Sequence, residues 1–315
     1  MRTLITGATG FVGQALCAAA SAQGWQVRAA LRHDRSLPAG VDQLVVGDIG
    51  AHTDWTQALA GVGVVMHLAA RVHVMRDTAA DPLAAFRTVN LLGTENLARQ
   101  AAHARVRRLV FLSSIKVNGE STPLGRPFTE DDASAPGDAY AMTKHEAEQA
   151  LRALAEQTGI EVVILRPPLV YGPGVKANFL SLMRAVARGV PLPLGAIDNR
   201  RSLIYVGNLA DAILRCGNHP AAAGQTYLVS DGEAVSTPEL ARRLAQTMGR
   251  PARVFPVPLG LLSLAGRLTG KAAQMARLMD SLHIDDGKIR RELDWRPLFS
   301  LDEGLRLTSR GLWEK

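Results

Sequence analysis

Apolar residues in the first half of this chain come in short runs, each followed by a longer stretch with helical spacing. TLIT (3–6), VRAAL (27–31), QLVV (43–46), GVVMHLA (63–69), RLVFLS (108–113) and EVVILR (161–166) have hardly a polar break. Between them, 11–23, 53–60, 81–103 and 138–158 carry helix-like patterns. Strands without alternation, interleaved with helices, predict a parallel sheet covered on both faces. After RPPLVYGPG (166–174) the rhythm changes. Helices predicted at 176–188, 206–217, 236–248 and 272–313 dominate there, with short strands at LIY (203–205), TYLVS (226–230) and ARVFPV (252–257). The pattern predicts a sheet domain followed by a smaller, mostly helical one.

Composition narrows the partners. The 315 residues are 47% hydrophobic, enough for one large domain and a smaller one. The 36 basic and 29 acidic residues give a formal charge of +7, and the basic excess is mostly Arg. These residues are scattered rather than striped, which argues against nucleic acid. The one tight group, Arg105, Arg107 and Arg108, reads as solvated surface. Arg also suits bidentate phosphate recognition, so an anionic small molecule is expected. Cys17 and Cys216 have no metal-ligand spacing and form no disulfide framework, so no metal is expected. MRTLIT offers no signal peptide, and VPLGLLSLAG (257–266) is too short to cross a bilayer. The expectation is a soluble, cytoplasmic protein. Residues 258–282 then pack within the C-terminal domain, with a peripheral membrane contact as the alternative.

TLITGATGFVGQAL sets Gly7, Gly10 and Gly13 after the first strand and at the start of an amphipathic helix. Glycines there allow a tight turn, close approach of a pyrophosphate and close helix–strand packing, while the helix N-terminus binds the anion. The fold class expected is therefore a Rossmann-type doubly wound parallel sheet. The second strand, which usually ends in an acid for the adenosine ribose, ends here in Leu31-Arg32-His33. Arg32 would pair with a 2′-phosphate, so NADP(H) is favoured over NAD(H); Arg32 stacked on adenine is the alternative. Asp48 and Ile49, after the third strand, stand where an adenine contact is expected. In DAYAMTKHEAE (138–148), Tyr140 and Lys144 lie one turn apart on a helix. A phenol transfers protons near neutral pH only if its phenolate is stabilised, and an ammonium does that.

Together the glycine loop, HLAA (67–70), Asn90 in VNLLGTENL, SSIKVNG and YAMTK resemble, in order and over essentially the whole chain, the extended short-chain dehydrogenase/reductase family. Its members are epimerase/dehydratase-like enzymes acting on nucleotide sugars. The resemblance implies that Ser114 bonds the reacting sugar oxygen and that Tyr140 transfers the proton. Lys144 would lower the phenol's pKa and hold the ribose, and Asn90 would support the helix and proton network. Ser113 would be a structural or cofactor-side neighbour. Phe11, Val12, Leu68, Ala69, Ala70 and Pro167 would join the cofactor site. Residues 1–166, with 196–232 returning, would bind the cofactor, and 167–315 mainly the nucleotide-diphosphate sugar. There Asn178 would contact the diphosphate or merely cap its helix, and Leu192 and Leu194 would line the base. Arg201 would clamp a phosphate or be a surface charge, and Arg277 is the nearest match to a late phosphate-binding arginine.

The resemblance also separates reactions. The family's 4,6-dehydratases carry an Asp-Glu pair after the catalytic hydroxyl residue; Ile115 and Lys116 stand there, which excludes that chemistry. NAD-dependent 4-epimerases and NADPH-dependent 4-ketoreductases remain. Arg32 favours the reductase, and SSIKVNGE resembles a bacterial subgroup that reduces UDP-4-keto-6-deoxy-N-acetylhexosamines for surface polysaccharides. Lys116 would position substrate or face solvent. Asn118 and Leu169 depart from the family's Tyr and Asn, which bears on the sugar pocket. Ser114, Tyr140 and Lys144 together speak against a non-catalytic NADP sensor. The alanine-rich faces of the helices bearing Asn90 and Tyr140 suit a homodimer.

Overall fold

The computed structural model describes the chain except residues 36, 38, 39, 73–80, 271 and 313–315, and except the side chains of 273 and 274. In chain order its elements are β1 (Arg2–Thr6), α1 (Phe11–Ala22), β2 (Gln26–Leu31), β3 (Asp42–Val45), α2 (Thr56–Leu59), β4 (Val64–His67), α3 (Pro82–Arg87), a π-helical turn (Thr88–Gly93), α4 (Thr94–His103) and β5 (Arg108–Leu112). There follow α5 (Ala139–Thr158), β6 (Glu161–Arg166), β7 (Leu169–Tyr171), α6 (Ala177–Ala187), β8 (Arg201–Tyr205), α7 (Val206–Asn218), β9 (Thr226–Leu228) and β10 (Ala234–Val235). The chain continues through α8 (Thr237–Thr247), α9 (Leu259–Leu268), α10 (Ala272–Met279), α11 (Gly287–Leu293) and α12 (Leu301–Arg310).

Seven parallel strands form the main sheet in the order β3-β2-β1-β4-β5-β6-β9. Their apolar runs are continuous because each face meets helices. Ile5, Val64, Met66, Val110, Val163 and Leu165 pack with residues of α1 and α7 on one face. Leu4, Val65, Leu109, Phe111, Val162 and Ile164 pack with α4, α5 and Trp55 on the other. This period of two splits one sequence run between two cores. At roughly 1.5–3 kcal/mol per buried large aliphatic side chain, these two layers hold the fold. The order reverses between β1 and β4, which opens a crevice at their carboxyl ends.

Several expectations change. The predicted helix over 81–103 is α3 and α4 joined by the π-turn, and the one over 272–313 is three helices, α10 to α12, with its last residue outside the described ones. The strand predicted at 252–257 reduces to a single bridge between Leu192 and Val254, because Pro256 and Pro258 lack donors and stop a ladder. Helix α9 and the short strands β7 and β10 are additions to the predicted pattern. The Arg105–Arg108 group is not simply solvated. Arg108 is fully buried, its Nε on Glu161 (2.7 Å) and its Nη1 on the carbonyls of Cys216 and His219 (both 2.7 Å). It thereby supplies cationic donors to the end of α7, where carbonyls lack helix partners. β8 joins β7 and β10 in a small second sheet, packed with α6, α8 and α12.

The crevice depends on Gly13. A Cβ there would lie 2.1 Å from the Gly7 carbonyl oxygen, which is backbone and has nowhere to go. Gly13→Ala is expected to cost about 1–3 kcal/mol in chemical denaturation and to weaken dinucleotide binding at least ~tenfold by fluorescence titration.

Candidate active site

The crevice is a cavity of about 580 Å³. Its phosphate end is the turn from β1 into α1. Gly7 has φ +71°, and a Cβ on it would come within 2.8 Å of the Ala69 nitrogen. Gly10 opens α1 with no side-chain cap, leaving the first amides to whatever anion fills the cradle. Phe11, Val12, Ile49, Leu68, Ala69, Ala70 and Pro167 line the same cavity, as do Arg32, His33 and Arg35 at its far end. This cradle fits a dinucleotide. Asp48 stands outside the lining: its carboxylate accepts from Arg32 Nε at 2.8 Å, and both side chains are exposed. Arg32 is thus already partly neutralised, which the sequence does not reveal.

Ser114, Tyr140 and Lys144 meet in the same cavity. Ser114 follows β5, and its Oγ caps a 3-10 turn (115–117) by accepting from the Lys116 amide at 3.3 Å. Tyr140 is in the first turn of α5, which Asp138 caps through the Ala141 amide. Burial raises the phenol's pKa, and the Asp138 carboxylate raises it further. Lys144 is 1% exposed, its Nζ 4.1 Å from the centre of the Phe111 ring. Burial drives its pKa down to about 7, with Glu148 opposing. His67, bonded to Thr6 (2.7 Å) and Thr94 (2.8 Å), is held neutral, its pKa lowered to about 3 by burial and by Lys144.

Asn90 lies behind this triad. It sits in the π-turn, accepts from the Arg71 amide (2.8 Å), and donates to the Arg71 carbonyl and to Thr143 Oγ1 (both 3.1 Å). Thr143 in turn donates to the Tyr140 carbonyl at 3.0 Å, so Asn90 steadies the turn that carries the phenol. Ser113 is structural: its hydroxyl donates to Glu148 at 2.5 Å. Glu148 also takes Arg166 Nε (2.9 Å) and Nη2 (2.5 Å), and Arg166 Nη1 donates to Asn118 (2.9 Å). Asn118 is buried and donates to the Thr129 carbonyl, so its side chain serves this network and not a sugar. Sequence reasoning misses Thr143, Glu148 and Arg166 as site residues. The signal for Glu148 is its place one turn after Lys144 on the same helix face.

The remaining candidates lie apart from the crevice. Lys116 pairs with Asp138 (2.5 Å) and Glu120 (3.3 Å). Asn178 is exposed at the second position of α6, whose cap residue is Lys176, so it is not the cap. Leu192 is half-buried, whereas Leu194 is buried against Ile197 and Leu262, its side chain taken by the core. Arg201 is no free surface charge: it is half-buried and donates to the carbonyls of Arg277 (2.7 Å) and Asp280 (2.9 Å). Burial lowers its pKa, Asp280 raising and Arg277 lowering it. Leu169 is exposed on β7.

A doubly wound sheet, a glycine cradle at its switch point and a Ser–Tyr–Lys triad in one cleft define a nicotinamide-dependent short-chain dehydrogenase/reductase. The chain belongs to the NAD dependent epimerase/dehydratase family, which it matches over residues 3–230. A UDP-glucose 4-epimerase of Vibrio cholerae is 47% identical over 308 residues, 97% of this chain and 94% of that protein. The N-acetyl-alpha-D-glucosaminyl-diphospho-ditrans,octacis-undecaprenol 4-epimerase of Escherichia coli O157:H7 is 28% identical over 85% of this chain and 81% of its own. Among solved structures, a UDP-glucose 4-epimerase of Thermus thermophilus in complex with NAD superposes with TM-score 0.76 at 25% identity, covering 100% of this chain and 99% of that one.

Two variants test the electrostatics. The unfolded chain keeps the ordinary Lys pKa of 10.5, while folded Lys144 gives up its proton at about 7. Folding is therefore penalised fully below pH ~7, and the penalty fades as pH rises towards the ordinary lysine value. Lys144→Met is expected to raise stability at pH 7 by on the order of 2 kcal/mol, a gain that shrinks by pH ~10, in thermal melts at both pH values. Lys116→Met removes the cation that offsets Asp138 and should move the alkaline limb of the pH–rate profile upward, by up to about one pH unit.

Proposed function

We propose that this enzyme transfers hydride at C4 of a UDP-linked sugar, as an NADPH-dependent reductase of a 4-keto-6-deoxy-N-acetylhexosamine. What carries the C4 chemistry is the meeting of Ser114, Tyr140 and Lys144 in the dinucleotide crevice. The bound nicotinamide supplies the hydride. Ser114 holds the sugar oxygen, Tyr140 protonates it, and Lys144 stabilises the phenolate left behind. The phenol's raised pKa keeps the proton on Tyr140 until a positive charge or the sugar oxygen draws it off. Ile115 and Lys116, in place of an acid pair, leave elimination of water without its acid and base. The cationic rim of Arg32 and Arg35 supports net reduction with NADPH.

A second reading, redox-neutral 4-epimerisation with NAD, has support at least as direct. The Vibrio cholerae relative carries that name at 47% identity, and the Arg32–Asp48 pair reduces the positive charge available to a 2′-phosphate. Both readings use the same triad and differ in whether the hydride leaves with the product. Arg201 and Arg277 are the proposed cations for the diphosphate.

Nicotinamide absorbance, followed on adding a UDP-4-keto-6-deoxy-N-acetylhexosamine with NADPH or NADH, separates them. Stoichiometric oxidation, faster with NADPH, is expected for the reductase. No net oxidation, with interconversion of UDP-glucose and UDP-galactose, would make the protein an epimerase. In either case Tyr140→Phe should lose about 10²–10⁴ in turnover and keep cofactor binding.

A further inference from the structure

Helix α9 has two faces of unusual contrast. Its inner face is ordinary: Leu262 packs with Leu194 and Ile197, and Gly266 lies against Met275 of α10. Its outer face carries Leu261, Leu264 and Leu268, exposed by 58%, 52% and 78%. Their spacing of three and four residues aligns them on one stripe, opposite Leu262 and Gly266. Phe255 and Leu259, just before and at the start of the helix, are also exposed, at 43% and 44%. Single exposed leucines need no account, but a row of them on one short helix does.

Charge identifies what covers the row. Residues 244–279 contain five Lys or Arg and no Asp or Glu, so they hold five of the chain's seven net positive charges. Of these, Arg267 is exposed on α9 next to Leu268, and Arg277 is exposed on α10. Arg253 is exposed in the segment leading into α9, where its Nη1 donates to the Gly189 carbonyl at 3.4 Å. A protein partner that buried the leucines would need acids of its own for each of these arginines. A bilayer with anionic headgroups provides both layers at once: acyl boundary for the leucines, phosphate for the guanidinia. Among the described residues no helix is long and apolar enough to cross a membrane, so the contact is with the surface.

We propose that the outer face of α9, with its flanking arginines, docks the enzyme on an anionic membrane surface. Leu261, Leu264 and Leu268 enter the headgroup–acyl boundary, while Arg253 and Arg267 pair with lipid phosphates. The same helix packs inwardly on the segment holding Leu192 and Leu194, so docking sets the substrate half of the molecule against the membrane.

The test is sedimentation of the full chain with vesicles of phosphatidylglycerol and phosphatidylethanolamine in equal parts, against phosphatidylcholine vesicles. Binding is expected to be at least ~tenfold stronger to the anionic vesicles and to fall with added salt. Leu264→Gln with Leu268→Gln should weaken it at least ~tenfold, and Arg267→Gln by a smaller factor, with melting and turnover on soluble UDP-sugar unchanged. Absence of binding to anionic vesicles overturns the proposal, as does binding that the double leucine variant leaves intact. Self-association of the wild type in sedimentation velocity, lost in that variant and unaccompanied by vesicle binding, also overturns it, in favour of a second copy on this face. Vesicle binding needs no turnover, so failure of the C4 reading leaves this result interpretable.

Discussion

The ion pair between Glu148 and Arg166 fixes the active site. Both side chains are buried, one on α5 and the other at the end of β6, and they meet through two hydrogen bonds. Ser113 and Asn118 complete the set from the segment after β5. A buried pair of this kind adds little net stability, because desolvation offsets most of its attraction. Its effect is positional. It ties α5, which carries Tyr140 and Lys144 two turns and one turn earlier, to the strand end that carries Ser114. Removing one partner would leave the other charge buried, so the arrangement has a single satisfied state.

Lys144 is held at the expense of stability. It lies between Phe111 and the crevice, deep enough that burial lowers its pKa to about 7. Glu148 lends it charge from below, and His67 stays neutral and so does not compete. The result is a cation poised to respond to what enters the crevice. Sites that store such unfavourable electrostatics are where activity and stability diverge.

The sheet is readable in the sequence because parallel strands buried on both sides are apolar throughout. Its crevice residues can be named because Gly7, Gly10 and Gly13 must lie at a strand–helix turn. Other features are hidden for definite reasons. The split of 81–103 comes from a π-turn, whose one extra residue per turn leaves the apolar pattern almost unchanged. The buried guanidinium of Arg108 looks like any other surface arginine until the end of α7 is seen beside it. Asn118 reads as a sugar-pocket residue because its place in the motif is close to Ser114; the 3-10 turn between them rotates it inward. Leu192 and Leu194 share a motif, yet the second is drawn into the core.

The sense of the reaction is the least legible feature, and the physics of the site explains why. Reduction and epimerisation at C4 demand the same hydroxyl to hold the oxygen, the same phenol to move the proton and the same lysine to stabilise the phenolate. They differ in how long the dinucleotide stays and how freely the keto sugar turns. Far from the triad, at the end of the crevice that the adenosine would fill, Arg32 already leans on Asp48 across 2.8 Å in an exposed pair. Such a pair is held by at most about 1 kcal/mol, so a 2′-phosphate can displace the carboxylate, whereas a bare ribose has no reason to. On the proposed reading, cofactor choice is therefore a competition between two anions for one guanidinium, and it bears on only one of the two differences, the other being how freely the keto sugar turns.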